Sequence, residues 1–402
     1  MKLLFVAYSV PYPPLSGSSM ILLNQIRELG MRHTVDLISF RIQETLGDFG
    51  DLSRWCNHVE LVERPPKWRR LLNVLSAVAD PIPLRVSAIR SPEMKMALDR
   101  SLARGNYDAV LFQTLMMAPF RPDWFKGPTI WNLEDPLVMK EQRMLPFCPW
   151  YAKPLSWGKI ARGKHYEKNQ IPRFDCVTFV NKQDCLDYGD FVKDARLDWV
   201  PSGIDTSAFC PERNLPRRDG MIIMTGNMFH GPNVDAVEYF CRKVFPLICR
   251  QVQNATLWLV GDKPVKSVRK WGKNSQIRVT GFVPDTRTYL RQAVVSVCPV
   301  RLRIGTQTKI LEALACGTPV VTSSAGNHGI GGVSGEHLYI ADDPHEFAED
   351  VIALLNRRRW DEFSENGRRF VIDNFTWGRS AVKLEQILER LIDARTANSV
   401  SA

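Results

Sequence analysis

Short apolar runs alternate with amphipathic stretches along the whole chain. Residues 2–9 open it with an almost unbroken apolar run, and similar runs recur at 34–40, 107–113, 129–133, 175–180 and 197–200. Runs of this kind, with no polar alternation, predict strands buried on both faces, as in a parallel sheet. Between the first two runs, Ile21, Leu22, Ile26 and Leu29 recur at helical spacing and predict a helix over 19–30. A basic helix is predicted over 150–170. A second series of strands follows at 222–224, 255–261, 276–280, 294–300 and 320–322, with a short helix at 284–293 and longer ones at 344–356, 358–374 and 378–394. The predicted class is α/β with parallel sheets. Pro201, Gly203, Pro211, Pro216 and Gly220 gather between the two series and place a linker over 201–220.

The stretch 300–322, VRLRIGTQTKILEALACGTPVVT, reads as strand, glycine turn, helix, turn and strand. Phosphates and nucleotides are commonly held at the carboxyl end of such a strand, against the amino end of the next helix. Helical spacing puts Gly305, Lys309, Glu312 and Cys316 on one face. Lys309 supplies a point charge for a phosphate, and Arg301 or Arg303 adds a fork of donors. Glu312, about one turn on, suits a sugar hydroxyl pair such as that of ribose. A Lys–Glu pair on a solvated helix face has the same spacing, and the pattern leaves both readings open.

Elsewhere, Glu134 and Asp135 directly follow a predicted strand. A carboxylate there orients an acceptor hydroxyl or takes its proton, or it caps the next helix. Residues 67–75, KWRRLLNVL, form a basic and aromatic amphipathic segment. It fits either an anionic bilayer surface or a packed helix with a solvated charged face.

Length and charge narrow the picture. The 402 residues suffice for two domains with cores of their own. The nine cysteines include no C-x-x-C pair, which points to reduced thiols and a cytoplasmic setting and against a zinc site or disulfide framework. The first apolar run leads into prolines without a small-residue cleavage site, so it reads as a strand and not a signal peptide. No apolar stretch is long enough to span a bilayer. The net charge of +10 favours anionic partners: nucleotide phosphates, lipid headgroups or a pyrophosphate-linked acceptor. No zinc-finger, basic-zipper or RRM signature accompanies it, so nucleic acid is not an expected partner.

Residues 305–321, G-T-Q-T-K-I-L-E-A-L-A-C-G-T-P-V-V, resemble the donor-site signature of retaining family 4 glycosyltransferases. Pro201-Ser202-Gly203-Ile204-Asp205 with Phe209 resembles the P-N-G-V-D-x-x-x-F segment at that family's domain junction. Thr225-Gly226-Asn227-Met228, with Pro232-Asn233-Val234-Asp235-Ala236, is similar to the opening of its donor domain. Gly281-Phe282-Val283-Pro284-Asp285 is similar to its G-x-V-x-D. Together these resemble the subgroup of sugar transferases found with exosortase (PEP-CTERM) and exopolysaccharide clusters.

The resemblance implies a GT-B fold, in which two Rossmann-like parallel-sheet domains face a cleft. Residues 1–203 form the acceptor-side domain, completed by a crossover helix over 378–396, and 204–377 bind the nucleotide sugar. The implied reaction is retaining transfer from a nucleotide-diphosphate sugar to a glycan or lipid-linked acceptor, with no metal or other cofactor. The enzyme would be cytoplasmic or peripheral on the inner face of the membrane. Implied nucleotide-sugar contacts are Gly17, Gly226, Asn227, Gly261, Arg301, Gly305, Thr306, Gln307, Lys309 and Glu312. Lys309, Arg303 and Asp135 take the catalytic roles. The sequence departs from the family at two places. The first Glu of the family's Glu-x7-Glu is Ile304 here, and Asn227, Met228, Phe229 and His230 stand where relatives often carry basic residues. Those departures keep open a non-catalytic partner protein of the same fold, and the fold itself leaves open a sugar-nucleotide epimerase or a phosphorylase.

Overall fold

The computed structural model describes residues 1–14, 16–41, 52–134, 136–192, 195–212, 214–303 and 305–400, with side chains to 397. The chain divides into two compact units, one of residues 1–201 and 377–402, the other of 202–376.

The first unit is built on seven parallel strands: β1 (Lys2–Ala7), β2 (Thr34–Arg41), β3 (His58–Glu63), β4 (Ala109–Gln113), β5 (Thr129–Glu134), β6 (Cys176–Phe179) and β7 (Leu197–Trp199). Their spatial order is β3-β2-β1-β4-β5-β6-β7. Alternate residues of each strand enter opposite cores. Leu4 and Val6 pack with Phe112, Trp131 and Phe179 on one face. Leu3, Phe5 and Ala7 pack with Leu22, Ile26 and Leu29 of the Gly17–Gly30 helix on the other. Burial on both faces explains why the strands read as unbroken apolar runs. β3 was not among the predicted strands, because its charged ends and half-buried middle weaken the apolar signal.

The Trp377–Val400 helix belongs to this first unit. Ala381, Leu384, Ile387, Leu388 and Leu391 fill the same core as Leu22 and Ile26. Ion pairs hold it in place: Arg390 to Asp198 at 2.6 Å, Lys383 to Asp198 at 3.2 Å, and Arg395 to Asp175 at 2.6 Å.

The second unit has six parallel strands: β8 (Met221–Thr225), β9 (Thr256–Val260), β10 (Ile277–Gly281), β11 (Val295–Cys298), β12 (Val320–Thr322) and β13 (Tyr339–Ile340). The order is β10-β9-β8-β11-β12-β13. Ile222 and Met224 enter one core with Phe240 and Phe347, while Met221 and Ile223 enter another with Ile310, Leu311 and Leu314. The ends of this unit meet: the Ile204 amide donates to the Phe375 carbonyl at 2.7 Å, and Ile204 bridges to Thr376. Among the described residues, no helix is long and apolar enough to cross a membrane.

Candidate active site

In the second unit the winding reverses between β8 and β11, which are neighbours although far apart in sequence. Such a switch point opens a crevice at the carboxyl ends of the strands. Gly226 follows β8 with φ +147°, and Gly261 follows β9 with φ +156°, a region that side chains disfavour. The two glycines touch. A Cβ on Gly261 would lie 1.7 Å from the Gly226 carbonyl oxygen, and one on Gly226 would lie 3.0 Å from Lys309 Nζ. Bare backbone thus lies directly beside the ammonium.

Lys309 extends from the Thr308–Ala315 helix. Its Nζ donates to Asn233 Oδ1 at 2.6 Å. Asn233 Nδ2 in turn donates to the Asn227 carbonyl at 2.9 Å, and the Phe229 amide donates to Asn227 Oδ1 at 3.2 Å. The glycine turn, the first turn of the Gly231–Tyr239 helix and the lysine therefore converge on one point. Asn233 was not among the predicted site residues. Its signal was an asparagine beside Pro232, in the opening turn of a helix that follows a glycine turn. Glu312 is half-buried on the same helix as Lys309; burial pushes its carboxyl up and the Lys309 charge opposes that. Met224, Cys298 and Val300 line the crevice with Lys309.

The arginines go elsewhere. Arg301 grips Asp235 with two nitrogens, Nε at 2.8 Å from Oδ2 and Nη2 on Oδ1, and its guanidinium lies 5.5 Å from the Tyr239 ring centroid. The Asp235 hydrogen bond raises its pKa. Arg301 and Arg303 line a recess of about 290 Å³ with Tyr239, Ser323, Ser324 and Asp342, across Pro299 and Val300 from the lysine. The helical spacing expected for Gly305 is corrected. Gly305 lies ahead of the helix with φ +52°, because the chain must turn before the first helical residue, Thr308. Thr306 and Gln307 are half-buried in that same approach. Cys316 caps the other end of the helix and is fully buried, so it does not share a solvent face with Lys309. Ile304 lies outside the described residues.

The helix carrying Lys309 is clasped at its carboxyl end by Arg217. Nη2 donates to the carbonyls of Cys316 (3.1 Å) and Gly317 (2.8 Å), while Nη1 donates to those of Leu290 (3.1 Å) and Ala293 (2.8 Å) and to Thr318 Oγ1 (2.5 Å). A cation there suits the negative end of the helix. Burial pulls the Arg217 pKa down to about 10. In the sequence Arg217 lies within the 201–220 linker, with Arg213 and Arg218 nearby and nothing to single it out.

The first unit holds a cavity of about 430 Å³ at the carboxyl ends of β1, β4 and β5. Its wall includes Ser18, Arg85, Gln113, Glu134 and Lys140. Thr114 (φ +68°) and Glu134 (φ +59°) both adopt left-handed backbone conformations at the ends of their strands. Strain of that kind persists where the surroundings enforce it and often marks a functional position. Ser18 Oγ donates to Glu134 Oε2. Below the cavity runs a buried polar row, Gln25 to Gln113 (3.2 Å) to Asn132 (2.8 Å). Gly17 begins the neighbouring helix behind a Ser16–Ser19 capping box, with open space where a side chain would project. Asp135 lies outside the described residues. Glu134, its neighbour, reaches this cavity.

Residues 219–357 match the family model described as Glycosyl transferases group 1. Along nearly its whole length the chain is 21% identical to an uncharacterized 44.6 kDa protein in the cps region of Klebsiella pneumoniae, covering 93% of this chain and 96% of that one. It is 22% identical to the GDP-mannose-dependent alpha-(1-6)-phosphatidylinositol monomannoside mannosyltransferase of Mycolicibacterium smegmatis, over 83% of this chain and 98% of that protein. Among solved structures, sucrose-phosphate synthase from Thermosynechococcus elongatus superposes with a TM-score of 0.73 at 18% identity, over 98% of this chain and 100% of that one. HepE of Anabaena in complex with UDP-glucose superposes at 0.63 and 14% identity, over 97% and 100%. The fold is GT-B, and the family match in the second unit with the named relatives supports a glycosyltransferase.

Proposed function

We propose that the protein is a retaining glycosyltransferase that moves a sugar from a nucleotide-diphosphate donor to a glycan or lipid-linked acceptor in surface polysaccharide or glycoconjugate synthesis. The observation that carries the donor side is Lys309 Nζ, fixed by Asn233 at 2.6 Å beside the bare backbone of Gly226 and Gly261. As the glycosidic bond breaks, negative charge grows on the departing diphosphate. A preorganised ammonium stabilises that charge more in the transition state than in the ground state. Glycine backbone allows the phosphates a close approach that a side chain would block. Glu312 takes the ribose hydroxyls, and Gly305, Thr306 and Gln307 offer amides ahead of the helix. Arg301 is held by Asp235 in the neighbouring recess, and the exposed Arg303 beside it is the second cation offered to the leaving group from across Pro299 and Val300. With these cations in place the reaction uses no metal. In the first unit, Glu134 orients the acceptor hydroxyl in the cavity above the Gln113–Asn132 row.

Two donor nucleotides come first in a test, because the mycobacterial relative is GDP-mannose-dependent and the Anabaena neighbour holds UDP-glucose. Thermal unfolding of the purified chain is measured with UDP, GDP, ADP and TDP, without added metal. One nucleotide is expected to raise the midpoint, with about 2.7 kcal/mol of added stability at a hundredfold excess over its Kd. Lys309→Ala is expected to keep the fold, lose that shift and abolish sugar transfer. A shift that survives in Lys309→Ala, or no shift with any nucleotide, overturns the assignment.

A further inference from the structure

A second cavity lies in the first unit, apart from the one that Glu134 reaches. It holds about 340 Å³, at the small end of the range for ligand pockets, and the two share no lining residue. The short Leu84–Ser87 helix contributes to both: Arg85 lines the first cavity, and Val86 and Ser87 line the second. The walls of the second are mostly apolar, with Ile82, Val86, Pro92, Pro119 and Phe120 among them.

The uncharged polar side chains of this wall have partners, with one exception. The Tyr166 hydroxyl donates to the Leu115 carbonyl at 2.9 Å, Ser91 Oγ accepts the Met94 amide at 3.1 Å, and Gln170 Oε1 accepts from Arg173 Nη1 at 2.9 Å. Ser87 is fully buried, and its Oγ has no hydrogen-bond partner among the described residues. A hydroxyl withdrawn from water without a partner costs free energy, so such groups are rare and call for a reason. The charges sit at the opposite end. Arg90 and Lys95 line the cavity and are both exposed, so they mark its mouth. No described carboxylate lines it. The acids nearest in sequence, Asp80 and Glu93, are paired with Arg90 at 2.8 Å and with Arg69 at 2.7 Å. An apolar cavity with an unpartnered donor inside and cations at its mouth suits a ligand that is polar at both ends and anionic at one.

We infer that this cavity binds a small hydroxy acid. Its apolar body packs against Ile82, Val86 and Phe120, its anionic end meets Arg90 and Lys95, and its hydroxyl bonds Ser87 Oγ. The inference concerns binding alone and does not rest on the transfer chemistry proposed above. Isothermal titration calorimetry of the full chain compares ω-hydroxydecanoate with decanoate, which lacks the hydroxyl, and with decanediol, which lacks the charge. ω-Hydroxydecanoate is expected to bind about fivefold more tightly than decanoate and about threefold more tightly than decanediol. Ser87→Ala is expected to abolish the preference over decanoate and keep the preference over decanediol. Lys95→Glu is expected to do the reverse. Ser87→Ala removes a hydroxyl that the fold leaves unpartnered, and Lys95 is exposed, so neither variant is expected to lower the unfolding midpoint. No binding of ω-hydroxydecanoate overturns the inference. So does equal affinity for all three compounds, which is adsorption to an apolar surface. Preferences that survive in both variants also overturn it, because they place the ligand elsewhere.

Discussion

Arg217 shows how one side chain far from the crevice positions the group within it. Its guanidinium satisfies four carbonyls and a hydroxyl, and it is stacked 5.0 Å from the Trp360 ring. Removing it leaves buried acceptors unpaired at the end of the helix that bears Lys309. Arg217→Ala is expected to cost about 3 kcal/mol in urea unfolding, whereas a surface arginine such as Arg369 would cost almost nothing. This is also where sequence reading runs out. Lys309, Gly226 and Gly261 were legible because a cation at helical spacing and glycines at strand ends carry local signals. Arg217 makes its contacts with residues 73 to 101 positions away, and no local pattern encodes such a set. Asn233 lies between these cases: its type and place suit a helix opening, but its partner Lys309 is 76 positions away.

At the scale of elements, the strands buried on both faces were legible, and so were the half-buried β7 and β10, but β3, with charged residues at both ends, was not. The Lys153–Gln170 helix shows a further gap. It reads as a basic surface helix, yet it carries Glu167 in the interior, where the carboxylate accepts the Leu137 amide at 2.9 Å and the Val138 amide at 3.3 Å and is bonded by the Tyr188 hydroxyl. Burial pushes its pKa up to about 7, against the stabilising hydrogen bonds. Because the folded value is raised, the folded state favours the protonated acid. That contribution is fully present below the unfolded value of about 4.5 and is lost as pH rises towards 7. Glu167→Gln keeps an acceptor for the two amides and removes the titration. Between about pH 5 and pH 8, the wild-type unfolding midpoint is expected to drop relative to that of Glu167→Gln. Parallel curves for the two proteins would sink this account.

At the scale of the whole molecule, the second unit is an insertion within the first, and its two ends leave side by side at Ile204 and Phe375. Both of its cores are made of its own residues. The core under β1 is not complete without Leu384, Leu388 and Leu391 from beyond the insertion. Removing residues 377–402 is therefore expected to unfold the first unit and leave the second intact. Limited proteolysis of the shortened chain would then yield a resistant fragment close to 202–376, and loss of that fragment would show the two units to be one cooperative body.

The Trp377–Val400 helix also sets a clock. On a ribosome, the strands of the first unit emerge before the second unit, yet the helix that seals Leu22, Ile26 and Leu29 emerges after it. The usual order, amino-terminal part first, is therefore expected to be reversed here. The carboxyl-side unit can finish folding while the earlier one waits with an open apolar face. That interval is when a nascent chain of this architecture most needs shelter from its neighbours.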